Sequence, residues 1–440
     1  LQSNSLAVSP RAELDELVNR SGENMIALII LPMPYLQDPK RNAPLGILYV
    51  AAALEQSGQE VLVADLRGVE ESKWLNAIPK ADHYGISSTS VEYPWAVKIA
   101  RLLEHERGKR PIIGGVHPTM NPHLVDHFLF PTIVVGEGEV VAKAAFRGLQ
   151  GTVCGKAVHV DKLPFPARWL LPRESWVSDR LVEPGVPATT IIASRGCPYK
   201  CAFCFHSVPH HDGHKIRLRN PALIAQEMMY LMDQGIKQFA FRDDTIALDH
   251  RWLKEFRDHI KPLGIKFRAM AGVNQMDEER IELLLDSGCV DIGLGVESVY
   301  QPALDLVGKK QTVQQAKDAI MQCQRMGLPV RVFLIIGLPG DFGDLSGRII
   351  EFLEETKPAG VDVNTLLPLP GTALYERRQD YGLRLRDNWS LENMRMLAGT
   401  SEELDEDFTF EYEGMSNQSL KWHRRRVVEY VNRERMNIDD

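Results

Sequence analysis

Ala188 to Ser207 reads "ATTIIASRGCPYKCAFCFHS". An apolar, β-branched run ends in Cys197, Cys201 and Cys204, spaced C-x3-C-x2-C. The run has the character of a strand buried on both faces. The cysteines follow directly, so they fall at the strand's C-terminal end, where α/β barrels place their chemistry. The chain has six cysteines in 440 residues, so three within eight positions is a local concentration with a purpose.

Downstream of this strand a cadence of helix, glycine and strand appears five times. It reads "MDQG-IKQFAF", "KPLG-IKFRAM", "DSG-CVDIGLG", "RMG-LPVRVFLIIG" and "KPAG-VDVNTLL", with glycines at Gly235, Gly264, Gly288, Gly327 and Gly360. Each glycine is expected to end its helix in a left-handed conformation before the next strand. With the first strand this gives six β/α units and predicts a partial (β/α)6 barrel. A full eight-unit barrel is the alternative.

Upstream, "MIALIILP" (25–32), "EVLVADL" (60–66), "HYGISST" (83–89), "RPIIGG" (110–115) and "TIVVG" (132–136) read as strands. They alternate with the helical patterns "GILYVAAALEQSG", "WAVKIARLLEHER" and "EGEVVAKAAFRGL". Five strands in this order predict a doubly wound, Rossmann-like parallel sheet. The expected organisation is α/β. Residues 1–24 are a tail whose opening "LQSNS", without Met, reads as a tag scar. Residues 25–151 form the Rossmann-like domain, 152–187 a linker rich in Pro and Trp, 188–375 the barrel, and 376–440 a small, mostly helical extension. In the extension, "QSLKWHRRRVVEYVNRERM" is expected to be a solvated surface helix paired with the acidic "SEELDEDFTFEYEG".

The net charge of −8 argues against a protein built to ride a phosphate backbone. No apolar run reaches the roughly 18 residues of a membrane span. The cysteine spacing is not a disulfide framework, and a cytoplasmic setting is expected. Cys154, Cys289 and Cys323 are expected as small buried apolar residues.

Four thiolates would suit a structural zinc or a closed iron–sulfur cage. Three leave one iron of a cubane open to a small molecule. Zinc with a histidine from His206, His210, His211 or His214 is the competing reading, without a second ligand pair to complete it.

The C-x3-C-x2-C spacing, with Phe203 before the last cysteine, resembles the radical S-adenosylmethionine (SAM) superfamily. Further pieces follow in that family's order. "FRDD" (241–244) ends the second strand, "GVES" (295–298) the fourth, "IIGLPG" (335–340) the fifth, and "PLPGTALY" (368–375) follows the sixth. "KIRLRNP" (215–221) supplies basic residues after the cysteine loop. The resemblance implies a 4Fe-4S cluster on Cys197, Cys201 and Cys204, whose open iron is chelated by SAM. One electron from a flavodoxin- or ferredoxin-type donor would then release a 5′-deoxyadenosyl radical. It implies SAM contacts from Phe203, Asp243 or Asp244, Glu297, Ser298, Ile336, Gly337, Leu338 and Arg219. "RDD" stands where Gly-Gly-Glu is more usual, which leaves open which aspartate meets the amino group.

The first half resembles the cobalamin-binding domain often found ahead of such a barrel, through "PLGILYVAAALEQSGQEVLVADL" (44–66), "ISSTS" (86–90), "GGVHP" (114–118) and "GEGE" (136–139). This implies cobalamin contacts from Ser87, Ser88, Gly114, Gly115, His117, Gly136 and Glu137. The Asp-x-His-x-x-Gly motif of a lower cobalt ligand is missing, and "PKRNAPLG" (39–46) stands in its place. A domain that kept the fold and lost the cofactor is the alternative. The expected activity is methyl transfer to an unactivated carbon of a small molecule. Cyclisation or rearrangement with the same cofactors is the second reading, and an RNA methylthiotransferase or a metal-bearing structural module the remote ones. Tyr93, Trp95, Arg268 and Asn274 are candidate pocket residues.

Overall fold

The computed structural model describes residues 25–34, 36–205, 215–393 and 407–436. Residues 1–24, the four loop histidines and residues 401–406 of the acidic stretch lie outside them.

The first half is a six-stranded parallel sheet: β1 Ile26–Ile30, β2 Val61–Asp65, β3 His83–Ser87, β4 Ile112–Gly114, β5 Thr132–Gly136 and β6 Gly151–Gly155. Their order across the sheet is β2-β1-β3-β4-β5-β6. The chain reverses its winding between β1 and β3, so a crevice opens there at the strands' C-terminal ends. β6 corrects the expected boundary. Residues 151–155 pair with β5 in parallel register, Thr132 opposite Gly151, and belong to the sheet rather than to the linker. This edge position also leaves Cys154 exposed, against expectation, whereas Cys289 and Cys323 are buried thiols.

Both faces of this sheet are covered, but by different partners. One face packs on helix Tyr93–Arg107 and forms a core of its own. The other carries helices Leu45–Gln56 and Gly138–Phe146, and its apolar core runs without a break into the second half. Helix Leu45–Gln56 buries Leu45, Ile47, Leu48, Tyr49, Ala51, Ala52 and Leu54, residues spread around most of its circumference. A helix apolar on nearly all sides belongs between two bodies, not at a surface.

The second half is a parallel sheet of β7 Ala188–Ile191, β10 Gln238–Phe241, β11 Lys266–Ala271, β12 Cys289–Glu297, β13 Val330–Ile336 and β14 Gly360–Thr365, laid side by side in chain order. It is the predicted half-barrel. A short antiparallel pair, β8 Ser194–Arg195 and β9 Arg217–Leu218, closes the neck of the cysteine loop. The helices start where short polar side chains cap them. The Asn220 side chain accepts from Ala222 N, Asp249 from Trp252 N and Asp277 from Arg280 N.

Four of the five predicted stops are left-handed: Gly235, Gly264, Gly288 and Gly327 have φ of 83°, 62°, 97° and 85°. Gly360 is not. It is the first residue of β14, and the left-handed residue ending that helix is Lys357, at φ 44°.

The linker stitches the halves together. Ala167 N donates to Leu48 O at 3.1 Å, and the Arg168 guanidinium donates to Glu227 Oε1 and to Thr190 O, both at 2.8 Å. The extension holds an antiparallel pair, β15 Leu383–Leu385 and β16 Phe410–Tyr412, besides helix Asn417–Arg433. That helix is not a solvated surface element. It buries Leu420, His423, Arg424, Val427, Val428, Tyr430 and Val431, and beyond it Met436 O accepts from Val361 N on the open edge of β14. Its ion pair to the acidic stretch, Lys421 with Asp407 at 3.1 Å, is present at its solvent side.

Candidate active site

A cavity of about 780 Å³ lies between the two sheets. The C-terminal ends of β3, β4 and β5 form one wall, through Ser87, Ser88, Gly114, Gly115 and Gly136. The other wall comes from the ends of β7 and β10 and the cysteine loop, through Arg195, Cys197, Arg242 and Asp244. The cavity runs on under the first sheet beside Leu28, Gly85, Ala142, Ala145 and Phe146, a slot lined by apolar and small side chains. Residues predicted separately from the two halves therefore face one space.

The cysteine loop is held by backbone geometry. Gly196 has φ 92°, and a Cβ there would stand 2.6 Å from Lys215 O, so only glycine fits where β8 turns into the loop. Ala202 N donates to Val307 O, and Ala202 O accepts from Leu374 N, each at 2.8 Å. Cys204 N donates to Cys201 O at 3.0 Å. Cys197 faces the cavity and Cys201 lies deeper, at 7% exposure. Burial raises the pKa of both thiols, while the Lys309 ammonium acts in the opposite direction.

Lys309 was not foreseen. In "VGKKQT" it reads as one of two ordinary surface lysines. In the fold it is largely buried and pairs with Glu297 Oε1 at 3.2 Å. Burial alone would lower its pKa. The Glu297 carboxylate and the Cys201 and Cys197 thiols outweigh that, and the pKa stands above its ordinary value. Glu297 is itself unusual, a non-glycine residue at φ 66° where the register of β12 against β13 shifts. Such conformations cost free energy and gather at functional sites. Gly295 makes room for it, since a Cβ there would stand 2.5 Å from Glu297 Oε1.

The "RDD" pair separates cleanly. Asp243 is buried and accepts from Ala193 N at 3.0 Å and from Ser194 Oγ at 2.6 Å. Burial pushes its pKa up to about 7 in spite of these bonds. It braces the strand before the cysteines and does not line the cavity. Asp244 does, beside Cys197.

Four other predicted residues also serve the framework. Arg219 donates to Ile192 O at 2.6 Å and pairs with the buried Glu227 at 2.8 Å. Ser298 donates to Asp341 Oδ2 at 2.7 Å. His117 is fully buried, stacked on Tyr93 with ring centroids 4.3 Å apart and 3.0 Å from Ser90 Oγ, behind the cavity wall. Glu137 reaches the cavity, but its carboxylate is engaged by Arg217 and Arg195. Phe203 packs half-buried against the core. Ile336 ends β13, and Gly337 and Leu338 follow it. Gly337, at φ 95°, lies under the ring of Phe410, and its carbonyl accepts from Tyr412 Oη at 2.8 Å, so the C-terminal extension closes over this strand end. Tyr93, Trp95, Arg268 and Asn274 do not line the cavity; Arg268 braces Leu181 O and Asp291 instead.

The donor set fits an iron–sulfur cluster: three thiols on one pinned loop, with a buried cation and a carboxylate beside them. Among the described residues, no three His, Cys, Asp or Glu side chains converge on a single ion. Each thiolate of a cubane serves its own iron, so such convergence is not required of it. The first sheet fits a ligand with a long buried tail. A Cβ on Gly85 would stand 2.8 Å from both Leu28 Cδ2 and Phe146 Cζ, and one on Gly138 3.2 Å from Val50 Cγ2. Glycine at these points leaves room for Leu28, Phe146 and Val50, which line the slot.

Comparison with known proteins agrees with this geometry. Residues 191–353 match the radical SAM superfamily and residues 40–146 the B12 binding domain, together more than half of the chain. An uncharacterized methyltransferase of Pyrococcus horikoshii is 27% identical over 379 residues, 79% of this chain and 80% of that protein. The bacteriochlorophyllide d C-8(2)-methyltransferase of Chlorobaculum tepidum is 25% identical, covering 75% of each chain. Among solved structures, the radical SAM methyltransferase TsrM from Kitasatospora setae, with cobalamin and a [4Fe-4S] cluster bound, superposes with a TM-score of 0.64. Identity is 18%, covering 83% of this chain and 81% of that one. The chain belongs to the radical SAM superfamily, in the group whose barrel follows an N-terminal B12-binding domain.

Proposed function

We propose that the chain is a cobalamin-dependent radical SAM methyltransferase that places a methyl group on an unactivated carbon of a small molecule. The observation that carries this reading is the single cavity onto which both Cys197 and the glycine-lined crevice of the first sheet open. The names of its relatives support methyl transfer as the outcome.

When bound, the cluster supplies the electron that cleaves SAM and the corrinoid carries the methyl group in transit. Cys197, Cys201 and Cys204 hold the cluster. Asp244, Glu297 and Lys309 present two carboxylates and one ammonium beside it, a complement for the amino group, ribose and carboxylate of SAM. Ile336, Gly337 and Leu338, to which the resemblance assigns the adenine, do not line the cavity, and Phe410 and Tyr412 cover Gly337. Ser87, Ser88, Gly114, Gly115 and Gly136 let the corrinoid tail approach backbone closely. The reductant is a small one-electron carrier of flavodoxin or ferredoxin type.

Anaerobic reconstitution with iron, sulfide and hydroxocobalamin tests the reading. Under a strong reductant the loaded protein is expected to convert SAM into both 5′-deoxyadenosine and S-adenosylhomocysteine, the marks of radical formation and of methyl donation. Cys201→Ala abolishes the first product. Formation of 5′-deoxyadenosine that survives this substitution contradicts the proposal.

A further inference from the structure

We propose that Glu137, Glu139, Arg195 and Arg217 form an ionic clasp that fixes the cysteine loop against the corrinoid-side crevice. In this role they are positioning residues for the relative placement of the two cofactors. The inference rests on the functional reading above for the identity of those two groups.

The geometry is specific. Arg195 and Arg217 are opposite each other in the β8–β9 pair, at the two ends of the segment that contains all three cysteines. Glu137 and Glu139 stand at the start of helix Gly138–Phe146, directly after β5. Arg195 pairs with Glu139 Oε1 at 2.6 Å and with Glu137 Oε1 at 3.4 Å. Arg217 pairs with both oxygens of Glu137 and donates to Val158 O at 2.8 Å, while Glu137 Oε2 also accepts from Val158 N at 2.6 Å. The Arg195 guanidinium lies over the Tyr49 ring, 5.1 Å from its centroid. Each end of the loop is therefore tied to the same turn of the first half.

The clasp is not needed simply to keep the halves together. They already share an unbroken apolar core, and further ties join them elsewhere. Ala43 N donates to Thr190 Oγ1 at 3.2 Å, and Asn121 Nδ2 donates to Pro370 O at 3.0 Å on the far side of the barrel. The clasp adds orientation at the one rim where the cysteine loop meets the cavity. All four side chains line that cavity and are between 6% and 27% exposed, so salt screens their attraction poorly. Arginine suits the task, because its planar fork holds a carboxylate in a fixed direction where lysine holds only a charge.

The test uses the full chain in two states. In the cofactor-free protein, Arg217→Gln and Glu137→Gln are expected to speed hydrogen exchange of residues 215–220 by roughly tenfold or more, with exchange in β12 and β13 unchanged. Arg217→Lys, which keeps the charge, gives an intermediate rate. In protein loaded with cob(II)alamin and reduced cluster, the magnetic coupling between the two centres weakens and broadens in Arg217→Gln relative to wild type. Unchanged exchange in the cofactor-free variants overturns the proposal, and so does a coupling identical to wild type in a loaded variant. Wild-type protein that takes up no cobalt or iron counts against the functional reading instead, and leaves the exchange rates to decide the clasp.

Discussion

The two sheets offer their cofactors opposite kinds of chemistry. The first recognises by omission. Gly85, Gly114, Gly115, Gly136 and Gly138 line the cavity, and a Cβ at Gly85 would press on Leu28 and Phe146, which line it too. The second recognises by provision: three thiols, Asp244, Glu297 and Lys309 stand at its C-terminal rim. Winding explains the contrast. A sheet that reverses direction between β1 and β3 opens a crevice between backbone segments, where small residues let a ligand in. A sheet laid down in chain order, β7 through β14, curls and brings the ends of successive strands around a common centre, where side chains converge.

That contrast can be broken on either side. The largest effect is expected from the second sheet. Lys309→Met leaves Glu297 without its partner beside the thiols, and raises KM for SAM by roughly 10–100-fold, about 1.4–2.8 kcal/mol. Cobalamin affinity stays within a factor of about two, well under the tenfold that 1.4 kcal/mol represents. Steady-state SAM cleavage and a hydroxocobalamin titration measure the two. A loss of both affinities together would mean that the sheets do not divide the work.

Gly85→Val attacks the first sheet. The added side chain meets Leu28 and Phe146 and costs about 1–3 kcal/mol of packing. Cobalamin binding is expected to weaken by at least tenfold, while iron content and 5′-deoxyadenosine formation persist. Equal loss of iron would contradict the separation.

The smallest effect concerns the brace behind the cysteines. Asp243 is held at a pKa of about 7 in the fold, against an ordinary value of 3.8. The native state therefore keeps a proton that the unfolded chain releases, and stability falls as pH rises from about 4 to about 7. Asp243→Asn is expected to flatten that slope in the thermal midpoint of the cofactor-free protein, leaving SAM cleavage nearly intact. A steep loss of cleavage would make Asp243, and not Asp244, the residue that meets SAM.

Much of this was legible in the sequence, for reasons that differ by residue. The cysteine spacing and the six-strand cadence are local signals, and both survive in the fold. Gly360 followed the same cadence yet is a strand residue, because Lys357 accepts the left-handed conformation three positions earlier. Arg219 and Lys309 show the limit most clearly. One looked like a cofactor contact and is a core brace, because Glu227, its buried partner, lies on the next helix. The other looked like surface and stands beside the thiols, because the chain after β12 folds back over the cysteine loop at Val307. Partners set such roles, and pattern alone does not display them. Cys154 is exposed for a related reason: its strand lies at the sheet edge, where the face that Thr152 and Cys154 share is uncovered.

One chain is expected to seat an open iron–sulfur cluster and a corrinoid on a shared cavity. Metal analysis with an ultraviolet–visible spectrum of the anaerobically reconstituted protein tests it most directly. About four irons and about one cobalt per chain are expected, with iron lost and cobalt kept in the Cys197→Ala, Cys201→Ala, Cys204→Ala triple variant. Zinc in place of iron, or iron without any cobalt under saturating hydroxocobalamin, would contradict it.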